Sequence, residues 1–120
     1  MNRTIKYIFA ATILFIAPPI FACDYPARVS IVNGATATKD EMLESQTAVK
    51  KYVADMQTYL DCIVEEEKAA RALIEDLKPE DEQQREDMLN KKYNAAVEEM
   101  EKVAADFNAE VQTYKARDDT

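Results

Sequence analysis

Leu73-Ile74-Glu75-Asp76-Leu77-Lys78-Pro79-Glu80-Asp81-Glu82 lies between two long runs rich in Ala, Glu, Lys, Gln, Leu and Met. Those residue types are strong helix formers, so the stretch determines whether the chain makes one long helix or two. Proline pushes the residue before it out of helical geometry, and it suits the first position of a new helix. Glu80, Asp81 and Glu82 then fall where the positive end of a helix dipole favours acid. The apolar register gives the same answer. Before the proline, Met42, Val49, Val53, Met56, Leu60, Ile63, Ala70, Ile74 and Leu77 form a 3-4 repeat with Gln46 and Glu67 as polar interruptions. Carried past Pro79, that repeat lands mostly on polar residues, among them Asp81, Gln84, Lys91, Glu98 and Lys102. The observed second seam is offset: Leu89, Tyr93, Ala96, Met100, Val103, Phe107 and Tyr114, interrupted by Glu110. The chain therefore reverses at Lys78-Pro79, and a short connection makes the helices antiparallel neighbours. Two helices are expected, over about 38–77 and 79–117, packed as a coiled-coil-like hairpin.

Working outward, Thr38-Lys39-Asp40-Glu41 spells a capping box that opens the first helix. Ahead of it, residues 23–37 contain Pro26 and Asn33-Gly34, with Val29, Ile31 and Val32 between them. That composition predicts an extended arm ending in a turn. Residues 1–22 read as a cleaved signal peptide: Arg3 and Lys6 lead an apolar run from Tyr7 to Ala17, and Ala22 provides the small residue before the cut. The run is short of the roughly 20 residues that span a bilayer.

Cys23 and Cys62 are the only cysteines, and export places them in an oxidising compartment. Cys62 lies about 36 Å along the first helix from Thr38, and an extended arm of this length reaches about 50 Å. The arm can therefore fold back and pair the two cysteines, for up to about 4 kcal/mol in the chain-entropy view. A second stripe on the first helix, including Ala48, Tyr52, Asp55, Tyr59, Cys62 and Glu66, suits a surface covered by that arm, with Tyr25 and Pro26 near Cys62. Two alternatives stay open. Ile20-Phe21-Ala22-Cys23 is also a degenerate lipoprotein box, which would make Cys23 a lipidated membrane anchor. A free or intermolecular thiol is the other.

Charge and residue inventory exclude several functions. Lys and Arg number 15 against 23 Asp and Glu; losing Arg3 and Lys6 with the signal leaves 13 against 23, a net −10. Such a chain repels nucleic acid and anionic headgroups. With no histidine, Ser-His and Cys-His catalysis and the common zinc sites are missing. Gly34 is the single glycine, so no phosphate-cradling loop exists. The carboxylate runs Glu65-Glu66-Glu67, Glu80-Asp81-Glu82 and Glu98-Glu99 are interleaved with lysines, as on a solvated helix face. No catalytic residue, metal site or cofactor is assigned. Tyr52 and Tyr59 on the first helix, and Val97, Ala104 and Val111 on the second, are the candidate interaction residues.

Cys23-Asp24-Tyr25-Pro26, Asn33-Gly34-Ala35-Thr36-Ala37-Thr38, Glu41-Met42, Gln46, Val49-Lys50, Tyr52 and Tyr59-Leu60-Asp61-Cys62 resemble a family of small exported proteobacterial proteins that has no assigned function. The resemblance spans residues 23–67 and departs at Val32, where similar sequences often carry proline. It implies export and pairing of Cys23 with Cys62, and it brings no catalytic or ligand residue. The expectation is an all-α, non-catalytic, periplasmic or secreted protein that serves as a protein-interaction or structural module. Its partner is an unidentified protein or a second copy, since two hairpins complete a four-helix bundle. The alternatives are a lipid-anchored envelope protein and a weak ligand- or cation-binding module.

Overall fold

The computed structural model describes residues 22–118; the signal-peptide reading of residues 1–22 lies, except for Ala22, outside them. Two helices form, α1 (Lys39–Ala72) and α2 (Pro79–Asp118), and no strand occurs among the described residues. At 1.5 Å per residue they run about 51 and about 60 Å. Cross-helix contacts fix their direction. Arg71 meets Glu82 and Glu86, Arg85 meets Glu67, and Gln57 meets Met100. Partners descend on one helix as they ascend on the other, so the hairpin is antiparallel.

Thr38 starts α1 as expected. The Glu41 amide donates to Thr38 Oγ1 at 3.2 Å, and the Thr38 amide donates to Glu41 Oε2 at 2.7 Å. The Thr38 amide, and after it the Thr38 hydroxyl donating to the same oxygen at 3.0 Å, hold the Glu41 carboxyl below its ordinary range. The far end of α1 differs from expectation: it stops at Ala72, five residues before Leu77. A helix continued to Leu77 would leave only Lys78 to reverse the chain, and a reversal between packed helices takes about 2–5 residues. The last turn tightens instead, with Leu73 N–H donating to Ala70 O at 3.3 Å and Ile74 N–H to Arg71 O at 3.1 Å. Ile74 and Leu77 thereby become half-buried link residues.

The buried face of α1 is also rotated from the expected seam. Met42, Val49, Met56, Leu60 and Ile63 are buried as the repeat implies, but Ser45 and Tyr52 replace Gln46 and Val53. The arm is the reason. It covers the Tyr52 side of α1, so the stripe removed from water lies between α2 and the arm. Ala96, Val103 and Phe107 supply the α2 side of the core, with Met100, Val111 and Tyr114 packed at its edge.

Among the described residues every buried one belongs to the segments 34–63 and 96–107, and none occurs from 64 to 95. The hairpin thus has a three-layered base and a two-helix tip.

Candidate functional site

The base is built around the arm. Cys23 and Cys62 are joined, with an S–S distance of 2.02 Å and Cα atoms 5.8 Å apart. Glu66 Oε2 lies 3.1 Å from the Cys23 sulfur. A disulfide sulfur has no proton to give, so this is a contact and not a hydrogen bond. Next along the arm, the Tyr25 ring meets the Tyr59 ring edge-on, centroids 5.0 Å apart. Arg28 then crosses to α2, where it pairs with Glu99 and, at 2.8 Å, with Asp106. Val29, Ile31 and Val32 pack on the core.

The arm ends in close contact with α2. Asn33 organises the turn: its carbonyl accepts from Ala37 N–H at 2.8 Å and its side chain from Ala35 N–H at 2.9 Å. Gly34 is buried against the α2 backbone, where an added Cβ would stand 2.0 Å from the Glu110 carbonyl oxygen. Its φ is not positive, so glycine serves here for close approach and not for a left-handed turn. The Gly34 amide donates to Glu110 Oε2 at 2.7 Å. Arg117 lies over Tyr114 and donates to the Ala35 and Ala37 carbonyls at 3.0 and 2.8 Å.

Burial, followed by the Glu99 charge and Tyr59, raises the Tyr25 phenol. Burial, followed by Tyr25 and Glu99, raises the Tyr52 phenol, with Arg28 opposing. The Tyr52 hydroxyl is buried without a hydrogen-bond partner among the described residues.

Of the five candidate interaction residues, Tyr52 is core, only 4% exposed. Tyr59 is half-buried against Tyr25. Val97 and Val111 are half-buried against the core, and Ala104 is half-buried between them in sequence. The structure gathers these residues in the base, where the chain packs on itself. The two acids that interrupt the seams have partners in the structure. Glu67 pairs with Arg71 at 3.2 Å and Arg85 at 3.3 Å. Glu110 caps the Gly34 turn.

Sequence reasoning missed Arg28, Gly34 and Arg117 as arm anchors. Two left a signal: Arg28 is the only cation of the arm, and Gly34 is the only glycine of the chain. It also missed the tip groove, which encloses about 600 Å³ between the two helices. Ile63, Ala70, Ile74, Leu77, Met88 and Leu89 make its apolar floor. Leu73 and Met88 stand 78% and 56% exposed beside it.

Among the described residues no cluster of three or more Cys, Asp or Glu side chains is arranged to hold a metal ion, and no helix is long and apolar enough to cross a membrane. Comparison with protein-family models, with curated proteins and with solved structures found no match to this chain.

Proposed function

We propose that this is a non-catalytic, exported helical-hairpin protein of the cell envelope, an interaction module whose base is a scaffold and whose tip receives another protein. The observation that carries this reading is the contrast in burial: core residues stop at Ile63 and Ala96, and the hairpin beyond them keeps an apolar groove open to solvent. Large exposed apolar side chains grouped around a groove are characteristic of association surfaces. Export rests on the N-terminal sequence and on the Cys23–Cys62 pair, which suits an oxidising compartment.

A photo-reactive group placed at Leu77 tests the reading in the native envelope. Discrete protein adducts from Leu77, and none from Leu43, which is 51% exposed on the base, are expected. Equal labelling from both positions, or none from Leu77, would overturn it.

A further inference from the structure

Within the base, the molecule already displays how its interhelical groove is filled. The arm lays Val29, Ile31 and Val32 on the apolar core, while Arg28 neutralises Glu99 and Asp106 on the rim. Arm and groove match because an extended segment supplies apolar side chains together with a cation. Removing either component would leave apolar surface in water or carboxylates beside a low-dielectric surface without a partner.

The tip groove repeats this chemistry without an occupant among the described residues. It begins where the arm begins, since Glu66 both touches the Cys23 sulfur and lines the groove. Asp76 and Asp81 are also on its lining, and among the described residues neither of them nor Glu66 is in an ion pair. Arg85, the nearest arginine, is engaged by Glu67. Lys92 is then the single unpaired cation against three unpaired carboxylates. From Ile63 to Ala72, where α1 ends, the groove extends about 14 Å along the helix axis, room for about four residues of extended chain.

Resting on the interaction reading above, we infer that the tip groove takes an extended, cationic and apolar segment of another protein, held as Arg28 and its valine and isoleucine neighbours are held in the base. A second copy fits less well. Residues 64–95 carry 10 acids and 6 bases, so tips docked on each other would bring together two surfaces of net −4.

The test uses the oxidised chain from Cys23 onward and two labelled peptides on the arm's pattern. One is Tyr-Pro-Arg-Arg-Val-Arg-Ile-Val; the other has Glu in place of each Arg. Fluorescence anisotropy is expected to show saturable binding of the cationic peptide only, weakened by salt. Asp76→Lys with Asp81→Lys changes two exposed side chains, so the fold should persist, which a thermal melt confirms. This variant is expected to lose about tenfold or more in affinity. Equal binding of both peptides, unchanged affinity in the variant, or no binding would each overturn the inference. Light scattering separates the two levels of the argument. If no peptide binds but the chain dimerises until Leu77→Ser is introduced, the interaction reading stands and the cationic segment falls. If the tip takes neither peptide nor a second copy, both fall.

Discussion

The base and the tip are made from the same two helices, the same residue types and the same register, yet only the base has a core. Met56 and Val103 are completely buried in the base. At the tip Met88, also an apolar residue on a helix, is 56% exposed. The arm accounts for the difference. Two helices alone enclose a narrow seam, because each faces water over most of its circumference. A third element laid along the groove removes a second side of each helix from solvent, which is why Tyr52 and Ser45 are buried at positions that an isolated pair would leave wet. Burial in this molecule follows the number of layers more closely than it follows the apolar pattern.

Five perturbations break or sharpen that contrast. The largest effect should come from Cys23→Ser with Cys62→Ser, which removes a link closing a 39-residue separation. A loss of about 4 kcal/mol is expected in denaturant melts, with the arm released. A loss under about 1 kcal/mol would mean that the other contacts of the arm suffice. Met56→Ala, at a site with no exposure, should cost about 3 kcal/mol. Met88→Ala at the tip should change stability by less than about 0.5 kcal/mol. Equal costs would erase the distinction between the halves. Gly34→Ala should cost about 2 kcal/mol, because the new methyl meets the Glu110 carbonyl and α2 must move. The smallest effect is one of pH. Burial and the Glu99 charge favour the neutral phenols of Tyr25 and Tyr52, so their folded values lie above the ordinary 10.0. The stability they contribute is complete below that value and is lost as pH rises through the folded values. Phenolate absorbance should therefore lag that of free tyrosine, and the lag should shrink when the disulfide is reduced.

How much of this was legible in the sequence depends on the range of the interactions. The hairpin was legible because Pro79 and the shift of register from Leu77 to Leu89 are local signals. The capping box at Thr38 and Glu41 is local as well. The Cys23–Cys62 pair was accessible as a question of reach, with Tyr25 near Tyr59 as a consequence. Arg28 was not legible as a clamp, because its partners lie 71 and 78 residues away and one charge in an arm indicates no direction. Gly34 read as a turn residue, and its real constraint, contact with the α2 backbone, exists only after the arm has docked. The end of α1 was misplaced by five residues for a related reason. Ile74 and Leu77 continue the repeat, but closing the link uses them outside the helix.

Native-state hydrogen exchange of the oxidised chain, read amide by amide, tests the two-part account most directly. Amides from 42 to 63 and from 96 to 114 should exchange only through global opening, while those from 64 to 95 exchange through local opening at much lower free energy. Uniform protection along both helices would contradict the account, because it would mean that the tip is as firmly held as the base and has no open face to offer.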